Sequence, residues 1–161
     1  MPRSRRSVRR RPRSGAAAAR PERTRYDSGT PWEPRVGYSR AVRVGSHVHV
    51  SGTTATAPDG SIVGAGDAYR QTVQTLDNIE RALSALGSSR EAIVRLRMFT
   101  TDLGRFDEIA RALSERFRPV RPAMTLVEVR ALVDPEMLIE IEADAEDLSA
   151  TPRRRPTRGS K

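Results

Sequence analysis

Two short runs near the end of the chain set carboxylates among aliphatic residues: Val127-Glu128-Val129 and Ile139-Glu140-Ile141-Glu142-Ala143. In a strand, alternation puts Glu140 and Glu142 on one face and Ile139 and Ile141 on the other. An exposed face explains that pattern by itself. A cleft or interface that partly desolvated one of these carboxylates would make it a general acid or base, because burial raises its pKa toward neutrality. Other candidates are sparser. His47 and His49 alternate on one strand face, but the chain has 2 His and no Cys, so a third metal ligand has to be Asp or Glu and no metal is expected. Ser51 has no base beside it in sequence, which favours a turn or hydrogen-bonding role over a nucleophilic one. Lack of Cys excludes disulfides, thiol nucleophiles and Cys-ligated metal centres.

The elements that must position these residues follow from periodicity. Ala41 to Val44 and His47 to Ser51 read as strands joined by a two-residue turn at Gly45-Ser46. Pro58, Asp59, Gly60, Gly64 and Gly66 make 53–67 a loop. Val73, Leu76, Ile79, Leu83 and Leu86 form one helical stripe over about 68–86, stopped by Gly87. Ile93 to Thr101 alternates as a strand. Phe106, Ile109, Ala110, Leu113 and Phe117 predict a second helix, ended by Pro119 and Pro122. Strands over 123–132 and 137–145 complete a β-β-α-β-α-β-β order. Because helices do not alternate strictly with strands, the fold class is α+β, with a mixed sheet covered by two helices on one face. Val127, Val129, Ile139 and Ile141 give the last two strands more aliphatic surface than one helical layer buries, so an oligomer is expected.

The chain has 161 residues and a formal charge of +9, but the charge is unevenly placed. Residues 1–25 carry ten Arg and one Glu, and 148–161 carry four Arg and one Lys, whereas 26–147 hold 14 Arg against 19 acidic residues. The expected organisation is a disordered basic tail over 1–25, one domain over 26–148 and a second disordered tail over 149–161. The tails are either solvated extensions or weak, counterion-driven contacts for nucleic acid. The mildly acidic body argues against a basic groove built into the fold. No apolar run approaches a membrane span, and Ala16 to Ala19 are too few for a secretory signal. With 28 Arg against a single Lys, a GC-rich bacterial genome and a cytoplasmic location are the default expectation.

Several local runs, in order, resemble the RidA family (also called YjgF/YER057c/UK114). They are Gly37-Tyr38-Ser39, Val50-Ser51-Gly52, Gln71, Leu76-Asp77-Asn78-Ile79, Pro122-Ala123-Met124-Thr125-Leu126-Val127-Glu128-Val129, and the Glu140 run. The resemblance spans about Gly37 to Ala145. It implies a chorismate-mutase-like fold, a homotrimer, and sites in clefts between subunits where 2-imino and 2-enamino acids are hydrolysed to 2-oxo acids and ammonia without a cofactor. By resemblance Glu140 orients or activates the attacking water, and Tyr38, Ser51 and Gly52 shape the pocket. The family's Arg, which pairs with the substrate carboxylate, is Met124 here, and a position often occupied by Cys is Leu126. Met offers no charge and no donor. The implied function is therefore an altered hydrolase or a small-molecule binder, the alternative being a nucleic-acid-binding or translation-regulating protein acting through its tails. Arg40, two residues after Tyr38, shares its direction in an extended segment and is a candidate replacement guanidinium. Trp32, in Trp-Glu-Pro, is read as part of an arm clamping a neighbouring subunit.

Overall fold

The computed structural model describes residues 22–147. One six-stranded mixed sheet carries the chain, in the order β1-β2-β3-β6-β4-β5. The strands are β1 (Arg23–Tyr26), β2 (Ala41–Val44), β3 (His47–Thr53), β4 (Ile93–Thr100), β5 (Ala123–Glu128) and β6 (Ile139–Glu146). Only the β4–β5 pair is parallel, and the helix α3 (Phe106–Phe117) makes its crossover. Helix α2 (Ala68–Ala85) packs beside α3 on the same face, and a short helix α1 (Trp32–Val36) precedes β2.

The β2–β3 hairpin turns at Gly45-Ser46, where Val44 opposes His47 and Gly45 takes φ 61°, the conformation this turn demands. Helix α2 starts where the Asp67 side chain accepts the Arg70 amide at 2.9 Å. It ends in a Schellman arrangement: Gly87 N donates to Ser84 O and Ser88 N to Leu83 O. Its buried face is more polar than the sequence pattern predicts. Gln71, Thr72 and Thr75 are buried with Leu76, Ile79 and Leu83, whereas Val73 is only half-buried. Phe106, expected in the α3 stripe, is likewise exposed.

Four further expectations are corrected. Arg23 to Arg25, assigned to a disordered tail, form β1 together with Tyr26; of the rest of that assignment Glu22 is irregular, and 1–21 lie outside the described residues with the C-terminal tail. β1 has almost no apolar signal because it joins the sheet edge by backbone pairing to β2, with Tyr26 opposite Ala41. Strand β5 stops at Glu128 rather than 132: β4 ends at Thr100, whose carbonyl takes a last bond from Val129 N at 2.8 Å, and no partner backbone lies beyond. Strand β6 begins at Ile139 rather than 137, since Leu138 N is taken by the Gln71 side chain at 2.8 Å. Finally, Ile139 and Ile141 are fully buried under the helices and do not contribute to the open sheet face. That face carries Val127, Phe99, Arg97, His47, His49 and the alternating acids of β6.

Gln71 is the polar keystone of the helical layer. Its side-chain nitrogen donates to Gly64 O (3.3 Å) and Glu136 O (2.7 Å), and its oxygen accepts Leu138 N. Gln71→Leu leaves Glu136 O and Leu138 N without their Gln71 partner, at roughly 1–3 kcal/mol for each that water cannot reach, whereas Gly64 O keeps the Asp67 amide. We expect a loss of at least about 2 kcal/mol in urea unfolding; a neutral result would mean that these loops re-pair without Gln71.

Candidate functional site

The antiparallel register between β3 and β6 runs evenly from His47–Glu146 to Val50–Ala143, then slips so that Thr53 opposes Ile141. This bulge puts one extra residue into β3 and re-aims the backbone around Gly52. Glu140, at the start of β6, occupies the space created. A Cβ on Gly52 would overlap Glu140 Oε1 and lie 2.9 Å from its Cδ. On the other side, Arg40 Nη1 donates to Gly52 O and to Thr53 Oγ1 (3.2 Å).

Arg40 is buried, and four of its five guanidinium N–H groups have partners. Its Nη2 donates to Tyr38 Oη at 2.7 Å, its charge lies over the Tyr38 ring at 5.3 Å, and its Nε meets Glu33 Oε1 at 3.4 Å. Glu33 comes from α1 and is only 3% exposed. Burial pushes its carboxyl up, but the Ser28 hydroxyl, the Ser28 and Gly29 amides and the Arg40 charge outweigh that and hold it below the ordinary value. The α1 arm is thus pinned to its own chain through Glu33, while Trp32 stays exposed. Nothing in the sequence marks Glu33 as a site residue: Thr30-x-x-Glu33 has capping-box spacing, but Pro31 caps α1 and the Thr30 hydroxyl has no hydrogen-bond partner.

Tyr38, Arg40, Ser51, Gly52 and Glu140 all line one cavity of about 530 Å³. Exposed Trp32, Val36 and Val133 and buried Met137 give its lining apolar surface, and Asn78 and Arg81 of α2 also line it. Ser51 Oγ donates to Ser39 O at 2.9 Å, a turn-stabilising role. Glu140 has no hydrogen bond or ion pair to any described residue. Its carboxyl is raised above the ordinary range, first by burial, then by the neighbouring Glu142 charge, with Arg40 partly offsetting both.

Met124 and Leu126 lie elsewhere. They line a second concavity of about 500 Å³ with Met98, Phe106, Leu113 and Phe117. Met124 opposes Leu96 and so points to the helical face, whereas Glu140 opposes Phe99 on the other face. The two are three pairing steps apart, about 10 Å along the strands, with β4 between them. Within one chain they cannot share a ligand. Glu128, the other acid noted in sequence, accepts Leu103 N at 2.8 Å and anchors a loop. His49 Nδ1 pairs with Asp144 at 2.8 Å and His47 Nε2 approaches Glu146 at 3.6 Å; among the described residues no three side chains form a metal-binding group. No helix there is long and apolar enough to cross a membrane.

The family described as Endoribonuclease L-PSP matches residues 30–147. A crystal structure of Rv2704 from Mycobacterium tuberculosis, a member of the YjgF/YER057c/UK114 family, superposes with a TM-score of 0.72 at 41% identity, covering 78% of this chain and 100% of that one. The chain belongs to the RidA (YjgF/YER057c/UK114) family. An uncharacterized Streptomyces coelicolor protein is 36% identical over 121 residues, 75% of this chain and 90% of its own length. Escherichia coli TdcF, solved with bound serine, is 30% identical with a TM-score of 0.63, over 68% of this chain and 87% of that one. Against this family background the matched runs divide by role. Gln71 and Asn78 hold loops, since Asn78 donates to Thr54 O and Thr56 O. Tyr38, Ser51, Gly52 and Glu140 line the cavity.

The raised Glu140 carboxyl has a consequence for stability. The folded chain holds the Glu140 proton more tightly than the unfolded chain, so the penalty for ionising it is absent below the unfolded pKa of about 4.3 and complete above the folded one. Glu140→Gln should therefore raise the melting temperature at pH 8, with the gap closing as the pH falls to about 4. A gap that stayed constant with pH would show that Glu140 titrates normally.

Proposed function

We propose that this chain is a cofactor-independent small-molecule protein whose site is the Glu140 cavity, completed by β5 of a neighbouring copy in a homotrimer. We further propose that it is an altered hydrolase for imine- or enamine-like compounds that do not carry a carboxylate beside the reacting carbon. The observation that carries this reading is Glu140: a half-buried carboxylate without a hydrogen-bond partner among the described residues, aimed into a cavity and with its proton affinity raised. A carboxyl in that state is a stronger proton acceptor than an ordinary exposed glutamate. As carboxylate it accepts a proton from a water whose oxygen attacks the C=N carbon. It then returns that proton to the nitrogen, giving a neutral carbinolamine; a second transfer through the same carboxylate moves the carbinolamine hydroxyl proton to the nitrogen as the C–N bond breaks, so that ammonia leaves and the C=O of the product forms. No oxidant or cofactor is required. The serine bound to the TdcF relative supports a small polar ligand for this family's fold.

A neighbour is needed because Met124 and Glu140 point to opposite faces of their own sheet. The apolar rim of the cavity, with Val36 69% and Val133 74% exposed, and the exposed Met124 and Val127 of β5 are complementary surfaces for such a contact. With Met124 in the place of a cation, a substrate carboxylate there would face Glu140 without compensation. A missing charged hydrogen bond of this kind is worth roughly 1.5–3 kcal/mol, or about 10- to 150-fold in affinity. Nucleic-acid binding draws no support from the described residues, because both His lie beside the acids of β6, whose charge repels phosphate.

Two measurements test the proposal. Sedimentation at micromolar concentration should give three times the chain mass; a stable monomer would contradict a shared cleft. For activity, 2-iminobutanoate generated by an amino-acid oxidase should decay little faster with wild type than without it. Met124→Arg should accelerate the decay, and Met124→Arg/Glu140→Ala should lose the gain. Wild-type rates equal to those of an Arg-containing family member would overturn the altered specificity.

A further inference from the structure

Part of the lining of the Glu140 cavity is aromatic. Of the chain's 3 Tyr and 1 Trp, all but Tyr69 line it: Tyr26 of β1, Trp32 of α1 and Tyr38 from the segment before β2. Buried Glu33 holds this stretch of chain in place, since it takes both Ser28 donors, the Gly29 amide and Arg40 Nε. Arg35 lies over the Trp32 ring at 5.5 Å but does not line the cavity, so the cavity meets another part of the indole. Trp32 is 43% exposed, and exposed Val36 and Val133 line the same cavity. Open apolar side chains gathered at one concavity, rather than scattered singly, mark a contact site.

Beside Glu140 the cavity offers hydrogen-bond acceptors. Thr53 pairs with Ile141, so the antiparallel register sets Thr54 beside Glu140, and both line the cavity. The Thr54 and Thr56 hydroxyls lie 2.8 Å apart. Whichever of them donates, Thr54 Oγ1 keeps a lone pair for a further donor. Asn78 fixes this corner by donating to Thr54 O (3.0 Å) and Thr56 O (2.9 Å). Glu140 accepts no hydrogen bond from any described residue. The Arg40 charge acts on it, but the paired Arg40 N–H groups go to Glu33, Tyr38, Gly52 and Thr53. Arg81 also lines the cavity, yet it is exposed and bonded to Asn78 Oδ1, so solvent and salt screen its charge. A carboxylate and a hydroxyl with unclaimed lone pairs suit a group that brings N–H donors, and Glu140 is the one acid among the residues lining the cavity.

We propose that the cavity takes compounds with a basic nitrogen on an apolar, aromatic-sized body and no acid group, the nitrogen meeting Glu140 and Thr54 and the body lying against Trp32 and Tyr26. The assignment rests on the Glu140 cavity being the ligand site and names the substrate class for it: imines derived from apolar amines in preference to those derived from amino acids. A volume of about 530 Å³ has room for such a body. A protonated nitrogen on Glu140 makes a charge-assisted hydrogen bond, and neighbouring aromatic rings favour a cation further. An acid group in its place would meet Glu140 with like charge. Trp32 and Thr54 are specificity residues in this scheme and take no part in the proton transfer.

The test titrates stable probes into the full-length protein, read by calorimetry and by the fluorescence of Trp32, the chain's single Trp. The probes are 2-phenylethylamine, 2-phenylethanol with the same body and no charge, 3-phenylpropanoate with an acid, and ethylamine without the body. At neutral pH 2-phenylethylamine should bind about tenfold or more tighter than each of the others, and it should change the Trp32 emission. Glu140→Gln and Thr54→Val should each narrow its advantage over 2-phenylethanol, Glu140→Gln the more. Trp32→Leu, at an exposed site, should weaken 2-phenylethylamine toward ethylamine. If ethylamine matches 2-phenylethylamine, or Trp32→Leu changes nothing, the aromatic-body assignment is overturned while Glu140-dependent amine binding still upholds the cavity. If 2-phenylethanol or 3-phenylpropanoate binds as tightly as the amine, or neither Glu140→Gln nor Thr54→Val narrows the gap, the basic-nitrogen assignment is overturned, and a Trp32 response still upholds the cavity. If no probe binds, or binding ignores both Glu140→Gln and Trp32→Leu, the cavity reading falls and this assignment with it.

Discussion

A single extra residue in β3 organises this end of the molecule. Between Val50 and Thr53 the pairing with β6 slips by one, and Gly52 falls inside the irregularity. Its carbonyl turns toward Arg40, while the space its missing side chain leaves is filled by the Glu140 carboxyl. The two charged groups therefore approach the same residue from opposite sides without forming an ion pair with each other. Any side chain at Gly52 would displace the flexible end of Glu140 before it disturbed the sheet. The constraint on Gly52 is thus one of space for Glu140, and no positive φ is involved.

Glu33 and Glu140 show how donors decide whether burial raises the proton affinity of a carboxyl. Glu33 is the more deeply buried, yet a hydroxyl, two amides and a guanidinium keep it ionised. Glu140 retains partial access to solvent, lacks such donors and has Glu142 for a neighbour, so its carboxyl is raised. Arg40 links the two, with most of its hydrogen-bonding capacity directed away from Glu140. This division leaves one carboxyl as a structural anion and the other free to titrate, an arrangement typical of sites where one acid does chemistry and its neighbour holds the frame.

The sheet itself is asymmetric in the same functional sense. Helices cover one face with a continuous aliphatic core, from Val48 and Val50 through Ile139, Ile141, Leu96 and Met98 to Leu76, Ile79 and Leu83. The other face mixes acids, Arg97 and two His with Phe99 and Val127. Arg97 meets Glu142 and Asp144 there, so much of that charge is already paired within the chain. At the β5 edge Met124 faces the α3 side, in a concavity flanked by Arg118 and Arg121, and is separated from Glu140 by the thickness of the sheet. The sequence places Met124 and Glu140 in runs of the same family pattern, but within the chain they lie on opposite faces of the sheet.

Strong periodicity made most of the fold legible. The stripe Leu76, Ile79 and Leu83, the alternation of β4 and β6, and the Gly45-Ser46 turn each record a local rule, because burial on one face of a regular element repeats with its period. Family likeness then drew Tyr38, Ser51, Gly52 and Glu140 to one place. Local rules failed where partners come from far along the chain. β1 carries no apolar pattern, since an edge strand is held by backbone bonds to β2. The start of β6 is set by Gln71, 67 residues upstream of Leu138, and its two isoleucines face the helices because register, rather than composition, decides the face. Arg40 was legible as a neighbour of Tyr38, but its commitment to Glu33 is set by how the α1 arm packs against the start of β2. Sequence fixes which side chains carry charge; which charges neutralise one another and which stay available depends on distances that only the tertiary structure determines.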